Sequence, residues 1–101
     1  MSMDMTSQPS ASFQRWLEAF QLAYEAPERV ADLVCTNCGA KKLALRFVIY
    51  GTRENEGHIA FWCDNCLHGV ALGPSTIPPG GVGVRREDAH IPRYMIVAPT
   101  R

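Results

Sequence analysis

The chain reads as a small α+β domain. One amphipathic helix lies near the N-terminus, an antiparallel β-hairpin extended to a three-stranded sheet follows, and an irregular Gly/Pro-rich segment ends the chain. Three observations predict this. Apolar residues recur at helical spacing between residues 12 and 26, two apolar runs flank a polar turn bounded by glycines, and the four cysteines form two matched pairs.

The helix is expected over residues 12–26. Phe13, Trp16, Leu17, Phe20, Ala23 and Tyr24 fall at i, i+3, i+4, i+7, i+10 and i+11, on one stripe. Ser12 can cap the start, and Pro27 stops the helix. Gln14, Arg15, Glu18, Gln21 and Glu25 lie off the stripe, toward water. Burying a large apolar side chain gains roughly 1.5–3 kcal/mol, so the stripe must cover something. Two surfaces qualify: the chain's own sheet, or a second protein as a homodimer seam or a docking groove. On the second reading Phe13, Trp16, Leu17, Phe20 and Tyr24 are the candidate protein interface.

Residues 43–50 read as a strand. Leu43, Leu45, Phe47 and Ile49 point one way, and Ala44, Arg46, Val48 and Tyr50 the other. The polar stretch from Gly51 to Gly57 is the hairpin connection. Residues 58–62 return, with Ile59 and Phe61 on the face of Leu43, Leu45 and Phe47. Val70, Ala71 and Leu72 can add a short third strand. Residues 73–83 carry so much Gly and Pro that an irregular loop is expected. One helical turn is expected over residues 85–90 and an edge strand over residues 93–97. Residues 1–11 read as a flexible tail, and the whole chain, 1–101, as one domain.

The cysteine pairs carry the chemistry. Cys35-Thr36-Asn37-Cys38 and Cys63-Asp64-Asn65-Cys66 are separated by 24 residues. Two thiolates in one tight turn grip an ion, and a second turn completes a tetrahedron. The N-terminus lacks a basic start followed by an apolar stretch, so the expected compartment is the cytoplasm, where such pairs are metal ligands rather than disulfides. With Cys35, Cys38, Cys63 and Cys66 as ligands, no position is left for water. One structural zinc ion is the expected occupant, and catalysis at it is not expected. Gly39, directly after the first pair, suits a backbone with positive φ. Lys41 and Lys42 lie close enough to offset part of the site's negative charge. His68, two residues past Cys66, is either exposed to solvent, the preferred reading, or a hydrogen-bond donor to a sulfur.

Residues 33–72, with CxxCG, a hairpin, CxxC and a short strand, resemble a zinc ribbon. The resemblance implies a zinc-stabilised architecture and leaves function open, since ribbons serve in transcription factors, polymerase subunits, ribosomal proteins and rubredoxin-like electron carriers. The C-terminal ribbon of eukaryotic transcript-cleavage elongation factors is similar in cysteine spacing and in its polar tip. Those tips carry an adjacent acidic pair. Here Asn55 separates Glu54 from Glu56, and that function is not carried over.

Composition excludes several classes. Basic and acidic residues are equal, 10 and 10. Residues 1–34 hold two basic against five acidic side chains, residues 35–72 four against three, and residues 73–101 four against two. This mild gradient is not the basic footprint of a dedicated nucleic-acid binder. Even so, Lys41, Lys42, Arg46 and Arg53 flank the hairpin beside Tyr50 and Trp62 and are the candidate nucleic-acid contacts. No apolar run reaches the roughly 20 residues that span a bilayer. No Walker loop, GxSxG, HExxH or GxGxxG is present, and no small-molecule substrate is expected. The expected function is a non-catalytic zinc module for macromolecular interaction, with a protein partner or second copy first, a nucleic-acid-binding or transcription-associated ribbon second, and a rubredoxin-like carrier third.

Overall fold

The computed structural model describes residues 12–99. Among them lie one α-helix, α1 (Phe13–Glu25), two 3-10 turns (Pro27–Asp32 and Arg86–Asp88) and five strands: β1 (Leu43–Ile49), β2 (Glu56–Cys63), β3 (His68–Thr76), β4 (Gly83–Arg85) and β5 (Met95–Ile96). The strands form one sheet in the order β4-β1-β2-β3-β5. No described helix is long and apolar enough to cross a membrane. The tail expected over residues 1–11 lies outside the described residues.

Helix α1 starts where its cap predicts. Ser12 Oγ accepts from the Arg15 N–H at 3.3 Å, and after Ala26 the proline-led turn takes over. The apolar stripe lies on the sheet. Trp16 is wholly buried and meets Phe61 edge-on at 5.7 Å between ring centroids, and Phe20 meets the same ring at 6.0 Å. Tyr24 packs on Phe47 and donates its hydroxyl to the Thr76 carbonyl at 2.7 Å, tying the helix end to the end of β3. Under the helix, Leu43, Leu45, Phe47, Ile59, Phe61, Cys63 and Val70 complete one core. The alternation read for β1 and β2 therefore puts the right residues inward.

The sheet is mixed, which corrects the all-antiparallel expectation. β1–β2–β3 is an antiparallel meander, but β4 runs parallel to β1 and β5 parallel to β3. The β5 edge falls within the edge strand expected over residues 93–97, whereas β4 starts at Gly83, where the expected irregular loop ends, and has no counterpart among the expected strands. The third strand is also longer than three residues, spanning His68–Thr76 through Gly73 and Pro74. A register shift absorbs this: Leu72 faces Ile59 and Pro74 faces His58, leaving Gly73 as the extra residue of a bulge.

The second face of the sheet is covered too. Ala44, Ala60 and Trp62 are buried beneath Ile91 and Tyr94. Tyr94 stacks on Trp62 at 5.7 Å and 16°, and its hydroxyl donates to the Val70 carbonyl at 2.9 Å. The C-terminal segment is thus a strap across the face opposite the helix. Gly69 faces Trp62 where a Cβ would stand 2.6 Å from the Trp62 Cα, so no side chain fits there.

Two substitutions at Trp16 separate packing from polarity. Trp16→Ala is expected to cost about 3–5 kcal/mol in urea unfolding. Trp16 Nε1 is buried with no hydrogen-bond partner among the described residues. An orphan donor costs about 1–3 kcal/mol, so Trp16→Phe, which removes it along with some ring volume, should stay within about 1 kcal/mol of the parent. A Phe variant as unstable as the Ala variant would contradict this packing.

Candidate metal centre

The two cysteine turns meet at one end of the sheet. The first leads into β1, and the second joins β2 to β3. Pairing of Leu43 with Cys63, and the Asp64 N–H bond to the Lys42 carbonyl at 2.8 Å, set them face to face. Each turn closes in the same way. The Gly39 N–H reaches the Cys35 carbonyl at 2.9 Å, and the Leu67 N–H reaches the Cys63 carbonyl at 2.8 Å. The residue after each pair adopts positive φ: Gly39 at 82°, as expected, and Leu67 at 55°. A leucine there is strained by roughly 1–2 kcal/mol, which its turn's position at the centre must hold in place.

The four Sγ atoms all lie within 4.8 Å of one another. Contacts between the turns include Cys35 to Cys66 at 3.8 Å and Cys38 to Cys63 at 3.7 Å. All four cysteines are free thiols. A tetrahedral ion with metal–sulfur bonds of about 2.3 Å needs sulfurs about 3.8 Å apart. The donor set, its number and its spacing therefore fit one metal ion held by Cys35, Cys38, Cys63 and Cys66.

Hydrogen-bond donors surround the sulfurs. The Asn37 and Cys38 N–H groups donate to Cys35 Sγ at 3.3 and 3.4 Å, and the Asn65 N–H donates to Cys63 Sγ at 3.3 Å. Cys35 and Cys63 are buried, whereas Cys38 is exposed. The Asn65 amide, first among several donors, holds the Cys38 thiol down at about 6. Burial pushes Cys63 up to about 12 and raises Cys35 as well. His68 Nδ1 lies 3.0 Å from the Cys66 carbonyl oxygen and 3.4 Å from the Asn37 amide nitrogen, rather than on a sulfur. Lys41 and Lys42 are exposed beside the first turn.

The other candidates are placed as follows. Trp16 is buried, and Phe13, Phe20 and Tyr24 pack half-buried on the chain's own core. Leu17 is half-buried and lines a shallow groove with Phe13 and Pro99. The helix stripe thus has an intramolecular occupant. The structure does not gather the four basic candidates into one patch. Lys41 and Lys42 stand at the cysteine end of β1 and Arg53 beyond its other end, roughly 20 Å away for a seven-residue strand. Arg46 lies over the Trp62 ring at 5.9 Å, and Arg53 pairs with Glu56 at 3.6 Å. Trp62 is buried, with no face left for a base. At the hairpin tip the exposed Glu54 pairs with Arg85 at 3.0 Å. Beside Arg46 and Trp62 a cleft of about 330 Å³ opens toward Asp88 and His90. Comparison of the chain with protein-family models, with curated proteins and with solved structures gives no match.

The thiol environments predict how uptake responds to pH. Cys35 and Cys63 hold their protons at pH 7, and both must lose them to bind, so each ion taken up releases at least two protons. Affinity weakens as pH falls: between pH 7.5 and 6.5, competition against a metal indicator should show a drop of about 100-fold or more. A drop below about tenfold would contradict the protonated pair.

Proposed function

We propose that this chain is a non-catalytic module in which one structural zinc ion, bound by Cys35, Cys38, Cys63 and Cys66, fixes a sheet that contacts another macromolecule. The observation that carries the reading is the four-sulfur cluster within 4.8 Å. Thiolate favours zinc or iron over hard cations, and a full set of sulfur ligands leaves no site for an activated water. The ion's contribution is to folding.

The contact surface follows from what the fold leaves open. With α1 on the sheet, exposed apolar side chains remain in several places, Leu22, Val34 and Val82 among them, and those at β5 lie along the outer edge of the sheet. Leu67, Met95 and Ile96 are 40%, 65% and 54% exposed there. The Met95 N–H bonds the Leu67 carbonyl at 2.8 Å, which ties this edge to the second cysteine turn. An edge strand with apolar side chains suits a protein strand better than a phosphate backbone. A protein partner, a second copy being the simplest, is therefore preferred to nucleic acid.

Elemental analysis of the purified protein is expected to give one zinc per chain, and a red, iron-bearing protein would place it with electron carriers instead. Self-association measured by light scattering should weaken in a Met95→Asp/Ile96→Asp double variant that keeps its zinc. A salt-sensitive mobility shift with RNA or DNA, lost on substituting Lys41, Lys42 or Arg46, would transfer the role to nucleic acid.

A further inference from the structure

Both cysteine turns carry asparagine at the same place, Asn37 and Asn65, immediately before the second cysteine. Within its own turn each backbone N–H donates to the first sulfur, Asn37 to Cys35 and Asn65 to Cys63, both at 3.3 Å. The side chains cross the site. Asn37 Nδ2 donates to Cys66 Sγ at 3.4 Å, and Asn65 Nδ2 donates to Cys38 Sγ at 3.3 Å. The arrangement is reciprocal. Each asparagine serves the inner sulfur of its own turn through the backbone and the outer sulfur of the opposite turn through its amide.

This crossing does two things that a pair of separate turns does not. It links the turns by their side chains, in addition to the pairing of Leu43 with Cys63. It also aims neutral donors at the two less buried ligands, Cys38 and Cys66, the latter only partly covered. Four thiolates around a divalent ion carry a double negative charge, and N–H donors on sulfur disperse it while fixing the ligand's direction. Asp64, which precedes Asn65, is engaged elsewhere and accepts from Trp62 Nε1 at 2.7 Å.

We propose that Asn37 and Asn65 are reciprocal positioning residues of the metal centre, locking the two turns across the ion and drawing electron density from Cys38 and Cys66. The proposal rests on the four-thiolate reading of the site. The amides set how tightly the ion is held and how electron-rich its thiolates are.

The test uses the full chain, zinc and cobalt. Asn37→Ala and Asn65→Ala are each expected to weaken zinc binding by about 10–100-fold in chelator competition, the range for lost partners of metal ligands. In the cobalt-loaded variants the sulfur-to-cobalt charge-transfer band should move to longer wavelength, because a thiolate stripped of a donor gives up an electron more easily. A role in folding alone leaves that band in place. Asn37→Asp and Asn65→Asp keep the side chain's size but set an oxygen against the sulfur. They should bind zinc more weakly than the Ala variants, and they remain readable if an Ala variant fails to fold. Zinc affinities within about twofold of the parent with an unmoved band would overturn the proposal alone. A parent chain that takes up neither metal would overturn it together with the four-thiolate reading.

Discussion

Two short turns, distant in sequence and closed around their own sulfurs, meet at one corner of the sheet, and the strands take their positions from that meeting. The first turn delivers the chain to β1, and the second receives β2 and releases β3. Cys35 lies 3.8 Å from Cys66 and Cys38 3.7 Å from Cys63, and the β1–β2 register begins at the same corner with Leu43 against Cys63. β3 starts at His68, two residues past Cys66, and β5 docks beside it with His68 against Met95. Structural zinc is worth on the order of 10–16 kcal/mol, while a whole domain is stable by about 5–15 kcal/mol. On those magnitudes the zinc ion we propose would supply as much free energy as the whole domain's net stability.

The remainder of the molecule covers the two faces that this corner aligns. Trp16, Phe20 and Tyr24 bring the helix onto Phe61 and Phe47, while Tyr94 brings the C-terminal strap onto Trp62. β1 and β2, covered on both sides, are the most deeply buried strands. The far end of the hairpin relies on weaker ties. Arg85 pairs with Glu54 and donates to the Gly51 carbonyl, and Arg86 lies over Tyr50 at 5.9 Å. Exposed ion pairs contribute little, about 0–1 kcal/mol each.

Local spacing made the helix, the hairpin and the ligand set legible. The helix stripe repeats within four residues, the strands alternate within two, and each ligand pair lies within a single turn. What sequence left open depends on distant partners. β4 has three residues and pairs with the edge that β1 offers, while the edge strand expected over residues 93–97 shortens to the two residues of β5. Pro74 argued against a long β3, and only the bulge at Gly73 reconciles the two. The left-handed Leu67 breaks the glycine rule, though its equivalence to Gly39 after each CxxC was a usable signal. The paired asparagines were visible as a repeat within the two motifs, but their crossing depends on how the turns face each other.

The central claim is that the metal corner holds the sheet, and amide hydrogen exchange tests it directly. The zinc-loaded chain and the same chain after chelation would be compared at equal pH. Protection across β1, β2 and the start of β3 should collapse on chelation and return when zinc is restored. Strand amides as protected without the ion as with it would contradict the account.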